Sequence, residues 1–176
     1  SHTYLSRFSK LIRMLLDNAS QPFIPLKKEL DFLELYLSLE KLRIPDLEYK
    51  IETEPGIDAG TTIVPNMMLQ PYIENAIWHG LSPKQGDKKL LLRIHGSNGS
   101  IQYDIEDNGI GRKKSTELNK IRTDKHKPFA TEANMKRIEI LNKGNNNIGV
   151  VYTDKIDAFG QSNGTIVTIT IPLIKD

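Results

Sequence analysis

Apolar residues recur at helical spacing along the first forty positions. Leu5, Phe8, Ile12 and Leu15 are separated by three, four and three residues, and Leu26, Leu30, Leu33 and Leu37 by four, three and four. Each series puts an apolar seam along one side of a helix. Between them lies Asn18-Ala-Ser-Gln-Pro22, a run of capping and helix-breaking residues. The pattern predicts a helical hairpin. The seams alone do not choose between helices of a bundle and two amphipathic helices docked on their own domain.

Ile44-Pro45-Asp46 ends the helical part, and the pattern then alternates. Strands are predicted at residues 47–53, 89–95, 100–107, 148–152 and 164–172. Gly96-Ser-Asn-Gly99 is a hairpin turn joining the second and third. Residues 65–81 read as mainly helical, with Pro71 leaving the early part open. Residues 131–142 read as a helix, and 109–129 as a polar stretch with few apolar anchors. The order implies an α+β fold: a mixed, mostly antiparallel sheet covered on one face by helices, preceded by an N-terminal helical segment.

Composition narrows the function classes. The 176 residues are 38% hydrophobic, 26% charged and 7% aromatic, as in an ordinary globular protein. A formal net charge of +2 does not indicate nucleic acid. With no Cys, a disulfide scaffold and a Cys-ligated metal are excluded. No apolar run is long enough to cross a bilayer, and no signal peptide opens the sequence. The sequence begins inside a helical pattern, so it is expected to be a piece of something longer.

Four places carry candidate chemistry. In Ser100–Asp107, Ile101, Tyr103 and Ile105 share one face by alternation, and Asp107 falls on that same apolar face. A carboxylate aimed at a core is costly unless donors meet it. Gly109 and Gly111 follow at once, allowing a sharp turn and close approach to a ligand. A carboxylate beside such a turn suits an exocyclic amine such as adenine N6, although an Asp-Asn-Gly turn capping its own backbone gives the same sequence. In Pro71-Tyr-Ile-Glu-Asn75-Ala-Ile-Trp-His79-Gly80, Asn75 and His79 are one helical turn apart on one side. The Asn75 amide oxygen is a hard ligand suited to Mg²⁺, and His79 suits a phosphate or a pocket rim. Thr165 has the parity of Val167, Ile169 and Ile171, so a hydroxyl opens an apolar row just after Gly164. Finally, the segment 112–128 holds seven basic residues, Arg112 and Lys113 among them, and two acidic ones. A mobile basic loop beside a glycine turn can close over a triphosphate.

In this order the residues resemble the Bergerat-fold (GHKL) ATPases. Within them the sequence looks like the LytS-like sensor histidine kinases that partner LytTR-type response regulators. Tyr4-Leu-Ser-Arg-Phe-Ser-Lys-Leu-Ile-Arg13, Leu26-Lys-Lys-Glu-Leu30, Tyr36-Leu-Ser-Leu-Glu40 with Arg43, Pro65-Asn-Met-Met-Leu-Gln-Pro71 and Glu74-Asn-Ala-Ile-Trp-His-Gly80 carry the likeness over essentially the whole sequence. It implies a two-layer Bergerat sandwich. Residues 1–44 would be the end of the dimerisation and phosphotransfer helices, and 45–176 the ATP-binding domain. Asn75 would be the Mg²⁺ ligand of the N box, with Glu74 a weaker catalytic candidate. His79 would lie at the nucleotide pocket. Asp107 with Gly109 and Gly111 would form the adenine-binding glycine box, and Gly164-Thr165 the closing one. Arg112 and Lys113 would open the ATP lid, and Thr131 would stand at its end. There Phe129-Ala130-Thr131 replaces the glycine-rich segment common in relatives, leaving open which amides meet the phosphates.

The resemblance further implies ATP and Mg²⁺ as ligands and a response regulator as partner. It implies a homodimer in the full-length protein, no nucleic acid, and a cytoplasmic domain of a bacterial inner-membrane protein whose membrane contact lies in upstream segments. The phosphoacceptor histidine is expected upstream, so this stretch would bind ATP without phosphorylating itself. A nucleotide-binding signalling module without transfer is the alternative. A hydrolase would want a carboxylate one turn before Asn75, where Pro71 stands.

Overall fold

The computed structural model describes residues 2–121, 129–144 and 146–173. Helix α1 (His2–Ala19) is followed by a short strand β1 (Phe23–Pro25), helix α2 (Leu26–Arg43), β2 (Leu47–Thr53) and a second short strand β3 (Ile63–Pro65). Then come α3 (Gln70–Asn75), continuous with a π-helical turn (Ala76–Leu81), β4 (Lys88–Ser97), β5 (Ser100–Asp107), α4 (Arg112–Ile121), α5 (Phe129–Lys143), β6 (Gly149–Ile156) and β7 (Ser162–Pro172).

Five strands form one sheet in the order β2-β4-β5-β7-β6. Only β2 and β4 run parallel; the other pairs are antiparallel. The expected α+β architecture is present. Alternation splits the sheet cleanly. Leu90, Leu92 and Ile94 of β4, Ile101, Tyr103 and Ile105 of β5, and Val167, Ile169 and Ile171 of β7 all point into the core. The opposite face is polar and cross-linked: Asp104 accepts from Thr168 Oγ1 at 2.8 Å and meets His95 Nε2 at 3.0 Å, while Glu106 pairs with Arg93 and Lys155 at 2.9 and 2.7 Å.

The two N-terminal seams have different fates. In α2, Leu26, Leu33 and Leu37 are buried with Phe32 and Tyr36 in the same hydrophobic cluster as the sheet residues. The core therefore runs across residues 44 and 45. In α1, Leu5, Phe8, Ile12 and also Leu16 are exposed, while Leu11, Met14 and Leu15 pack against the core. One helix is docked on its own domain; the other shows much of its seam to solvent.

Two expectations are revised. Residues 65–81 are not helical from the start: Ile63–Pro65 pairs with β1, and the helix opens only at Gln70, with Pro71 in its first turn. There a proline loses no hydrogen bond. The helix then widens, and Ser82 N–H donates to Ile77 O, five residues back, at 2.7 Å. The basic stretch after Gly111 is not a loop at its beginning but the helix α4, six of whose ten residues are Arg, Lys, Glu or Leu and which has no internal Gly or Pro. The remainder of the expected lid, residues 122–128, lies outside the described residues.

The burial asymmetry predicts a stability asymmetry. Leu33→Ala should cost about 2–5 kcal/mol in urea unfolding, as for a fully buried leucine. Leu16→Ala should stay within about 0.5 kcal/mol at low protein concentration. Equal losses would show that the α1 seam is covered.

Candidate functional site

The register brings the candidate residues together. Leu90, Asp107, Thr165 and Asp154 form one row across β4, β5, β7 and β6; Leu92, Ile105, Val167 and Tyr152 form the next. The first row lies near the π-helical turn and carries three polar groups, of which Asp107 and Thr165 are buried and Asp154, on the edge strand, is exposed. An open cleft of about 270 Å³ lies above them. Asn75, His79, Asp107, Gly111, Arg112 and Thr165 all line it. So do Tyr72, Gly80, Ser115, Thr116, Tyr152 and others that the motifs did not single out.

Asp107 is only 4% exposed. Its Oδ1 accepts the Gly109 N–H at 2.7 Å, so the carboxylate caps its own turn and faces the cleft as well. Burial pushes its carboxyl up to about 6, against the Gly109 and Thr165 backbone hydrogen bonds and the charge of Lys155. Backbone crowds it closely. A methyl group built on Gly109 would overlap the carbonyl carbon of Gly80, and one on Gly164 would overlap the Asp107 carbonyl oxygen. Gly164 also has φ +105°, the left-handed region that favours glycine. Ile110 N–H donates to Gly80 O at 3.0 Å, tying the turn to the π-helical segment. On its other side, Asn108 Oδ1 accepts the Lys89 N–H at 2.7 Å.

The α-helix brings Tyr72 and Asn75 to the cleft, and the wider π turn brings Ala76, His79 and Gly80 to it. Such widened turns recur at functional sites. Glu74 does not line the cleft; its Oε1 accepts from Gln70 Nε2 at 2.8 Å. On the far wall Arg112 forks onto Asp154 at 2.7 and 2.8 Å. Its guanidinium lies 4.9 Å from the centre of the Tyr152 ring, which sits 6.4 Å from that of Tyr72. Both partners of the ion pair are half exposed, so it is worth about 0–1 kcal/mol, a contact easily exchanged. Lys113 is exposed and away from the lining, where Ser115 and Thr116 stand instead. Thr131 lies in α5, its side chain outside those described. Among the described residues no group of three or more His, Cys, Asp or Glu is placed to hold a metal.

Known proteins point the same way. A family described as histidine kinase matches residues 1–47. The sequence is 34% identical over 107 residues to the sensor protein LytS of Bacillus cereus, covering 61% of this chain and 18% of that protein. It is 28% identical over 169 residues to LytS of Staphylococcus saprophyticus, covering 96% of this chain and 28% of that one. The chain is similar in sequence to these LytS sensor proteins. It spans 18% and 28% of the length of these two relatives. Solved structures share the fold. The histidine kinase domain of a blue-light activated kinase from Erythrobacter litoralis superposes with TM-score 0.57 at 20% identity, over 97% of this chain and 75% of that one. The catalytic domain of the histidine kinase ThkA superposes with TM-score 0.53 at 13% identity, over 85% and 93%.

The aromatic wall of the LytS-like chain escaped sequence reasoning. Tyr152 lies on an edge strand, and its place opposite Tyr72 follows from the β6–β7 register, which no local motif encodes. A pattern signal was present in Tyr152 and Asp154 alternating toward the covered face, but only with that register known.

The raised Asp107 carboxyl has a signed consequence. Between pH about 4 and 6 the folded state holds a proton that the unfolded chain releases. Stability from this group is present below pH 4 and lost as pH rises through 6, on the order of 3 kcal/mol in all. Ligand-free Asp107→Asn, which keeps the Gly109 hydrogen bond, should therefore be more stable than wild type at pH 7.5, with the gap closing toward pH 4. Urea unfolding at both pH values checks this; a pH-independent gap would mean Asp107 carries no buried charge.

Proposed function

We propose that this chain is the ATP-binding catalytic part of a two-component sensor histidine kinase, passing the ATP γ-phosphoryl group to a histidine and thence to a response regulator, probed most simply with one of LytTR type. The observation that carries the reading is convergence: Asn75 and His79, Asp107 and Arg112, and Thr165, from three separate segments, line one cleft. The LytS proteins are named as sensors, and one neighbour of this fold, ThkA, was solved in complex with a response regulator.

Each side chain has a task that its surroundings allow. Asp107 at the cleft floor accepts the adenine amino group, and Thr165 beside it hydrogen-bonds the ring edge directly or through water. Gly109 and Gly164, which do not line the cleft themselves, let the backbone under Asp107 pack more closely than any side chain would allow. Asn75 offers one hard oxygen and His79 a ring nitrogen toward the phosphate side. This donor set fits Mg²⁺ held mainly by nucleotide phosphates and water, and does not fit a metal held by protein alone. Bound Mg²⁺ would neutralise charge on the β- and γ-phosphates. Arg112, held by the exchangeable Asp154 pair, adds positive charge at the mouth. Catalysis in such a site is positioning and charge compensation.

Within this proposal residues 1–44 belong to the dimerisation and phosphotransfer helices, with the exposed α1 seam against a second copy, and residues 45–176 to the ATP-binding unit. The domain works on the cytoplasmic side of a membrane-anchored protein. Among the described residues no helix is long and apolar enough to cross a membrane. His95, on the opposite sheet face and paired with Asp104, is not placed to receive a phosphoryl group from the cleft.

Two substitutions separate base from metal. Asp107→Asn presents an amide donor to the adenine amino group and loses a charge-assisted bond of about 1.5–3 kcal/mol, at least roughly tenfold in affinity for ATP and adenosine alike. Asn75→Ala should weaken Mg·ATP and leave adenosine nearly unchanged. Calorimetry with both ligands decides. Unchanged ATP affinity in folded Asp107→Asn removes the adenine role, and equal losses in Asn75→Ala remove the metal role. Acid-labile label from γ-labelled ATP on a histidine-bearing helical partner distinguishes a kinase from a nucleotide-binding module.

A further inference from the structure

Two stretches that carry the family likeness, Leu26-Lys-Lys-Glu-Leu30 and Pro65-Asn-Met-Met-Leu-Gln-Pro71, supply none of the cleft lining. They meet each other in the interior. Glu29, on the first turn of α2, is 4% exposed. Its Oε2 accepts the Met67 N–H at 2.9 Å and its Oε1 the Leu69 N–H at 3.2 Å, and the Met68 N–H also hydrogen-bonds to it. Asn66 is 6% exposed. Its side-chain amide donates to Asn18 O near the end of α1 at 2.7 Å, and its N–H donates to Pro22 O at 3.0 Å. Its carbonyl accepts from Arg137 of α5. Met67 next to it has φ +53°, a conformation costly for a side-chain-bearing residue.

One turn thus joins α1, α2 and α5, and runs directly into the helix that carries Asn75. Leu69 is the cap residue of α3, so the Glu29 carboxylate holds the N–H of the cap and those of the two residues leading into that helix. Burial is the largest influence on Glu29 and raises its carboxyl; the three backbone donors and the Arg137 charge oppose it. A buried charge of this kind is seldom the cheapest way to fill space; what a satisfied polar network adds is a single geometry.

We propose that Glu29 and Asn66 are positioning residues for the nucleotide site: they fix the start of the Asn75 helix against the α1–α2 hairpin, so that hairpin position and Mg·ATP occupancy are coupled. The inference rests on the cleft being a Mg·ATP site. Coupling is reciprocal: whatever moves the hairpin changes affinity, and Mg·ATP must in turn tighten the turn.

The test compares wild type, Glu29→Gln and Asn66→Ala. Glu29→Gln sets an amide donor against a backbone donor and removes the charge facing Arg137. Asn66→Ala cuts the bond to Asn18. In protein that still melts cooperatively, each should weaken Mg·ATP by about tenfold and leave adenosine within about twofold. A merely structural role lowers Tm and leaves the affinity of the folded protein unchanged. In wild type, a Mg·ATP analogue should slow hydrogen exchange at Met67 and Leu69, and adenosine should not. Wild-type Mg·ATP affinity in either folded variant overturns the proposal. If neither variant folds, unchanged exchange at these two amides in wild type overturns it. Wild type that binds no Mg·ATP at all refutes the reading of the cleft instead.

Discussion

Asp107 ends the row Ile101, Tyr103, Ile105 on the face of β5 that the helices cover, and a carboxylate there imposes conditions on everything near it. Water is largely excluded, so backbone donors at Gly109 and Thr165 must replace it, and close packing around the acid relies on positions without side chains. Gly109 meets it from its own turn, Gly80 from the π-helical segment, and Gly164 from β7 lies against its carbonyl. The three glycines come from three elements and serve one acid. Desolvation also makes the empty site costly, which places function and stability in opposition at this one residue.

The sheet was largely legible because alternation is a local property. The parity of Asp107 and Thr165 with their apolar neighbours needed no knowledge of partners, and the two buried polar residues of the first row follow from it. What the sequence could not show depends on register or on subtle backbone geometry. Ile24 and Val64 are buried partners in strands of three residues, too short to show a period. The π-helical turn has the composition of an ordinary helix and differs only in which carbonyl each N–H reaches. The seam of α1 resembles that of α2 in spacing, yet one is exposed and the other lies in the core, since periodicity records a face and not its partner. Tyr152 belongs to the cleft only because β6 pairs with β7 in one particular register.

The two helices at the start divide the labour implied by that contrast. α2 is part of the domain's interior: Leu33 and Leu37 share a cluster with Leu92 and Ile105. It is also held at its far end, where Arg43 stacks 3.8 Å over the Trp78 ring on the π-helical turn. Its first turn reaches the Asn66 junction through Glu29, and its last touches the segment that carries His79. A rigid rod pinned at both ends to the nucleotide-facing helix is well placed to convey displacement, while α1 keeps an apolar side in reserve.

The strand order carries a kinetic consequence. β4 and β5 are joined by a tight turn at Asn98-Gly99 and pair with their sequence neighbour, so that hairpin closes over a short loop. The row through Asp107 is completed only when β7, near the C-terminus, pairs with β5. Loop closure over so much chain makes this pairing slow relative to the hairpin. The cleft floor is therefore among the last parts of the molecule to exist, and a chain emerging from the ribosome displays the motif residues 75–111 well before it owns a binding site.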